Sequence, residues 1–376
     1  MSSSSSAISF PVFSTVSPQA AEITKLFWWV TIVCTIIFII VAVWVGYSIV
    51  KFRHKGEEGE PDQHQIDKSL EITWTIIPTL ICVLLGWWTV QSMFGPRAGE
   101  PIREGDPDIV ITGVQWWWEV KYPKLGITTA NEIHIPTGRP IQVELRSNDV
   151  IHTFWVPEMG RKQQMIPGHY NSIVFQADKV GQYLGACAQY CGNQHAWMRL
   201  LLVAEAPDDF DKWAANEAKP HVVPAPAPAS SVPAPASAHL VQASQKIVAV
   251  EKDAASGVSP VANPSTGAVT AEVPPLHIEG DLAGGDVARG LRIYQEQTCG
   301  SCHAIDGVSS ARYAPDLNHV ANRKTLGAGV IPDNTPENLY KWIYDPQAIK
   351  PGCNMPTFHL TPEQTRDVVA YLETLN

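Results

Sequence analysis

The chain has 376 residues, with 13 tryptophans, 7 cysteines and a formal net charge of -10 at neutral pH. That length is too great for one domain and fits two or three. The acidic balance argues against nucleic acid as a partner, because a phosphate backbone is held by a basic face.

Residues 1–25 open with a Ser-rich run and lack the basic stretch that starts a secretory signal peptide, so they read as a polar tail on the periplasmic side. From Leu26 to Val50 there is no Asp, Glu, Lys or Arg, which is enough to cross about 30 Å of hydrocarbon. Lys51, Arg53 and Lys55 come directly after it, and the positive-inside bias puts that loop in the cytoplasm. A second uncharged run from Ile72 to Pro96 returns the chain outward. Residues 26–97 are therefore predicted as a transmembrane helical hairpin, with spans near 26–50 and 70–94. Glu71 sits at the inner edge of the second span, where an ionisable group is a functional candidate by default.

Between about 101 and 210 the pattern changes to short apolar runs separated by Gly, Pro, Asn and Asp, as in an all-β sandwich or barrel. One run, DIVITGVQWWWEV, reads as a strand whose alternation sends Trp116 and Trp118 to one face and Trp117 to the other. At least one of these rings is then expected at the surface. The segment CAQYCGNQHAWM packs Cys187, Cys191, His195 and Met198 into one loop. Two thiolates, an imidazole and a thioether favour copper over harder metals. Cysteines four apart can bridge two metal ions, and His152, at the end of an upstream apolar run, is the candidate for the missing nitrogen. Three other readings use part of the set: a disulfide leaves the His and Met residues unexplained, a blue-copper site has no use for a second Cys, and zinc gains little from Met.

Residues 214–280 are rich in Ala, Pro, Ser and Val. Such a stretch cannot bury a core and reads as a tether. As a flexible coil its root-mean-square span is roughly 45 Å. Beyond the tether, residues 283–376 contain the run CGSCH. There Cys299, Cys302 and His303 stand in the arrangement that attaches a c-type haem covalently and supplies one axial imidazole. Met355, in GCNMPTF, is the candidate for the opposite axial position, which would raise the haem potential. His319 and His359 compete with it. A short helix is predicted around GLRIYQEQT and a last one over TPEQTRDVVAYLETL, with Thr361 as its N-cap and Pro362 in its first turn.

With a distant His, then Cys, Cys, His and Met in one loop, the first 210 residues or so resemble subunit II of the haem-copper cytochrome c oxidases. Residues 283–376 resemble a class I cytochrome c, as in caa-type oxidases. The resemblance implies a multidomain membrane protein: a two-helix hairpin, a cupredoxin-like Greek-key sandwich over 101–210 and an all-α cytochrome c domain. It implies a dinuclear copper centre (CuA) held by His152, Cys187, the carbonyl of Gln189, Cys191, His195 and Met198. One covalent haem c would be bound by Cys299, Cys302, His303 and Met355, with Pro315 accepting the His303 N–H. Trp116 would be the electron port and Glu71 the mouth of a proton pathway. Expected partners are oxidase subunit I, the other oxidase subunits and a periplasmic electron donor, in the bacterial inner membrane. The family's magnesium contact is weakened, because Gln189 and Gln164 stand where it has Glu and Asp, and an amide is a poorer ligand for a hard cation. Lys121, where the family has an acidic docking residue, weakens the case for a separate basic cytochrome. The alternative function is a CuA-type subunit of a nitric oxide reductase. A quinol oxidase subunit would lack the copper ligands, and a copper carrier would not need a haem.

Overall fold

The computed structural model describes residues 13–53, 67–94, 102–220 and 284–376, together with Gly56 and Gly59. Most of the tether lies outside the described residues.

The hairpin is α1 (Pro18–Lys51) and α2 (Lys68–Phe94). Helix α1 begins earlier than its uncharged run, because Ser17 caps it through a side-chain bond to the Ala20 amide and Pro18 starts its first turn. Both helices are long and apolar enough to cross a membrane. They expose Ile36, Trp44, Ile49, Trp74 and Leu84, as a lipid-facing surface requires. Trp29 stacks on Trp88 with ring centroids 5.4 Å apart, which joins the two spans. Cys34 and Cys82 are free thiols on the exposed faces.

The second domain is a sandwich of ten strands: β1 (Ile109–Val114), β2 (Trp117–Tyr122), β3 (Ile127–Ala130), β4 (Glu132–Pro136), β5 (Ile141–Ser147), β6 (His152–Trp155), β7 (Lys162–Met165), β8 (Asn171–Phe175), β9 (Gly181–Cys187) and β10 (Arg199–Glu205). One sheet has the order β3-β2-β1-β5-β8 and the other β4-β10-β9-β6-β7. Pairing is antiparallel except between β1 and β5 and between β10 and β4. Alternation fills the space between the sheets, with Ile109 and Ile111, Trp118 and Val120, Ile133 and Ile135, Val143 and Leu145, and Leu200 and Leu202 all in one buried core.

The run DIVITGVQWWWEV is not one strand. Val114 pairs with Trp117 across a turn at Gln115 and Trp116. The turn carries Gln115 and Trp116 out of the sheet to the metal loop, so Trp116 is half-buried there. Trp118 enters the core, and Trp117 on the opposite face is also buried, against Ala130 and Ala328. Of the three rings only Trp116 stays partly at the surface, because the carboxy-terminal domain covers the face that carries Trp117.

Helix α3 (Pro207–Glu217) extends the sandwich past the point where composition places the start of the tether. Phe210, Trp213 and Ala214 form its apolar stripe. Trp213 lies flat on His134, with ring centroids 4.2 Å apart and planes 5° from parallel.

The sandwich stands on the hairpin. The Ser17 hydroxyl donates to the Met159 carbonyl at 3.0 Å, the Val16 amide to Glu158 at 3.2 Å and the Arg161 guanidinium to the Met93 carbonyl at 3.0 Å.

The last domain is helical, with α4 (Val287–Glu296), α5 (Pro336–Tyr344) and α6 (Pro362–Leu372). Thr361 and Gln364 form a full capping box at the start of α6. Helices α4 and α6 cross at Gly290, where a Cβ would lie only 1.9 Å from the Asp367 carbonyl oxygen. Asp367 also takes both arms of Arg289, at 2.7 and 3.0 Å. Gly290→Ala should therefore force the helices apart and destabilise this domain by about 3 kcal/mol. Calorimetry should register a lower carboxy-terminal transition with the sandwich transition unmoved.

Candidate metal centre

Cys187 ends β9 and Met198 precedes β10, so the metal loop is a strand connection held at both ends. The Cys187 amide donates to the Met198 carbonyl and the Ala188 amide to the Thr153 carbonyl, both at 2.9 Å. Within this frame the two sulfurs lie 3.8 Å apart. A disulfide needs about 2.05 Å, and both cysteines are free thiols. The other donors surround them: His152 Nδ1 is 3.8 Å from the Cys187 sulfur, and the Gln189 carbonyl oxygen is 3.1 Å from it. On the other side, His195 Nδ1 is 3.6 Å and the Met198 sulfur 3.8 Å from the Cys191 sulfur.

This donor set suits soft metal rather than hard. Two metal–thiolate bonds of about 2.3 Å can span this separation, so both sulfurs could hold the same metal. Each sulfur has its own imidazole and one further donor beside it. The ligand atoms of His152, Cys187 and Cys191 lie within 4.8 Å of one another and all three residues are buried.

Electrostatics set the two thiols apart. The hydrogen bond from Cys191 lowers the Cys187 pKa, with burial opposing and His152 assisting. The same bond and burial push the Cys191 thiol upward. Burial also opposes a charged His152, but Asp149 and Cys187 outweigh it and raise its pKa to about 9. Metal binding must therefore displace protons from the loop.

His152 is wholly buried, and its Nε2 is 2.7 Å from Asp149 Oδ1. That bond fixes the tautomer that leaves Nδ1 for a metal. Asp149 is itself held by the Gln115 and Val150 amides at 2.7 and 2.6 Å. Gly113 lies under the imidazole, where a Cβ would approach Cδ2 to 2.8 Å. The Cys191 carbonyl accepts from Gln115 Nε2 at 2.6 Å and from Trp116 Nε1 at 3.0 Å. Gln164 and Gln189 are exposed, and Lys121 pairs with Glu119 at 2.7 Å. Glu71 lies far off, in the first turn of α2.

In the carboxy-terminal domain, Cys299 begins a single 3-10 turn and the His303 amide donates to its carbonyl at 3.0 Å. His303 Nδ1 is 2.7 Å from the Pro315 carbonyl. Burial lowers the His303 pKa, so the ring is held neutral, as an iron ligand must be. Burial also pushes the Cys299 thiol up to about 11. Met355 is half-buried in a loop that Gln347 braces, its amide donating to the Met355 and Cys353 carbonyls at 2.7 and 2.8 Å. His359 is exposed, while His319 is buried. The Arg323 Nε is sealed from solvent without a hydrogen-bond partner. Its Nη2 bonds the Asp316 carbonyl, and a guanidinium whose charge reaches His303 with Nε still to be paired suits a haem carboxylate.

Three family models match in order along the chain: the transmembrane domain of cytochrome c oxidase subunit II over residues 3–91, its periplasmic domain over 125–205, and cytochrome c over 287–376. Cytochrome c oxidase subunit 2 of Alkalihalophilus pseudofirmus is 29% identical, over 92% of this chain and 84% of that protein. The subunit 2 of Thermostichus vulcanus is 31% identical, over 52% of this chain and 75% of its own length. A quinol oxidase subunit 2 of Bacillus cereus is also 31% identical, over 52% of this chain and 69% of its own length.

The chain belongs to the cytochrome c oxidase subunit II family. It is a subunit of a haem-copper oxidase complex, held in the inner membrane by its hairpin, with a cytochrome c domain fused behind the periplasmic sandwich.

Sequence reasoning about the subunit missed Asp149, Gln115 and Gln347. Asp149 carried a signal, since a carboxylate three residues before a ligating His is placed to orient it. Gln115 and Gln347 carried none. Asp149→Ala should lower copper affinity by about 10- to 100-fold, read by competition with a copper chelator, and Asp149→Asn should lose less.

Proposed function

We propose that this subunit is the electron-accepting port of a cytochrome c oxidase, taking electrons from a periplasmic donor at its cytochrome c domain and delivering them through the sandwich to subunit I, where oxygen is reduced. Cys187 and Cys191, with His152, the Gln189 carbonyl, His195 and Met198, would hold two copper ions, and Cys299, Cys302, His303 and Met355 one haem c. When bound, copper and haem would each accept and release single electrons. The chain's own residues do the rest. Strands β6 and β9 keep the donors in place, so little has to move when charge changes. The core around Phe154, Met165 and Leu200 keeps water from the sulfurs, and Asp149 holds His152 in one orientation. Trp116, bonded to the Cys191 carbonyl, puts an aromatic ring against the loop. Glu71 would face subunit I at the cytoplasmic end of the second span, at the mouth of a proton path for coupled translocation.

The observation that carries this reading is the clustering of four further donors around one pair of cysteine sulfurs. The purified subunit should hold two copper ions per chain and give a seven-line hyperfine pattern in its electron spin resonance. Four lines, or one copper, would overturn it. A complex that consumes nitric oxide but not oxygen would instead identify a nitric oxide reductase.

A further inference from the structure

The carboxy-terminal domain does not hang free of the sandwich. Two of its loops, 324–329 and 351–354, rest on the face that carries the metal loop. At the first, Glu132 at the start of β4 is only 2% exposed. Its Oε1 accepts from the Lys324 amide at 2.8 Å, the Thr325 amide at 2.7 Å and the Thr325 hydroxyl at 3.0 Å. Its other oxygen lies 3.9 Å from His134 Nε2. Alongside, Ala328 packs on Trp117 and Ala130, and its carbonyl accepts from the Arg199 amide at 3.2 Å. A buried carboxylate that satisfies three donors of another domain is a strong and directional contact.

The second loop leads to the candidate haem ligand. Asn354, next to Met355, donates from Nδ2 to the Gln115 carbonyl at 3.0 Å, and Gln115 Nε2 donates to the Cys191 carbonyl at 2.6 Å. Gln194 Nε2 bonds the Pro351 carbonyl beside it. A run of covalent and hydrogen bonds thus joins Met355 to Cys191.

We propose that Glu132 is the positioning residue that seats the carboxy-terminal domain on the metal loop and keeps the bridge from Asn354 through Gln115 to Cys191 closed. This rests on the electron-port reading of that loop. The transfer it would serve, with haem and copper bound, is of one electron: the haem would lose it and the copper would gain it, with no atom or proton exchanged. Glu132 touches neither centre. It acts by holding Lys324 and Thr325, and through them the loop geometry, in register.

The test uses the full subunit in its complex. In Glu132→Ala, amide hydrogen exchange over residues 324–329 should speed up by about 10-fold or more. Intramolecular haem-to-copper transfer after rapid haem reduction should slow by about 10-fold or more. The copper hyperfine pattern and the haem potential should stay as they are. Glu132→Gln, which keeps one acceptor oxygen, should fall between. Ala328→Arg loosens the same seat from the other side with the sandwich untouched, and should reproduce both changes if Glu132→Ala fails to fold. Unchanged exchange, or faster exchange with an unchanged transfer rate, overturns the proposal. Because exchange reports the seat without reference to either metal, a subunit lacking the seven-line signal would defeat the functional reading and leave the seat to be judged separately.

Discussion

The outer part of this subunit depends on two sulfur atoms held 3.8 Å apart by backbone that belongs to a sheet. Two thiolates at this spacing repel, so the acidity of Cys187 is raised at the expense of Cys191. Cations between the sulfurs remove that conflict. The frame must exist first, and it comes from β6, β9 and β10, whose core is packed by simple alternation of apolar residues.

The hairpin, the sandwich and the metal loop were legible in the sequence because each rests on local pattern. An uncharged run of sufficient length spans a bilayer wherever it occurs, and Cys187, Cys191, His195 and Met198 are close in space because they are close in sequence. The same holds for the Cys-x-x-Cys-His turn and for the capping box at Thr361. Local pattern also misled at QWWW. Alternation makes Trp117 an outward residue, and outward it is, but nothing near it announces that Ala328 will cover it. The turn at Gln115 and Trp116 was hidden for a related reason, since aromatic residues suit a strand as well as they suit a turn packed on a loop.

Long-range polar contact stayed invisible. Glu132 meets Lys324 and Thr325 across a stretch of Pro-Ala-rich chain whose composition suggests only separation. Gln115 and Gln347 act on backbone carbonyls, groups that almost any polar residue could address. Their roles come from position and not from type. Likewise the sandwich domain runs past its expected end at 210, because the burial of Trp213 against His134 is decided by the strand beneath it.

The bonds from Ser17 to Met159 and from Arg161 to Met93 tie the sandwich to the outer ends of its own membrane spans. A domain mounted in this way inherits its height above the lipid from the helices below it. The thickness of the bilayer and the lengths of two apolar segments then set how far the metal loop stands from anything embedded beneath, and an inserted turn of helix would raise the whole assembly by about 5.4 Å.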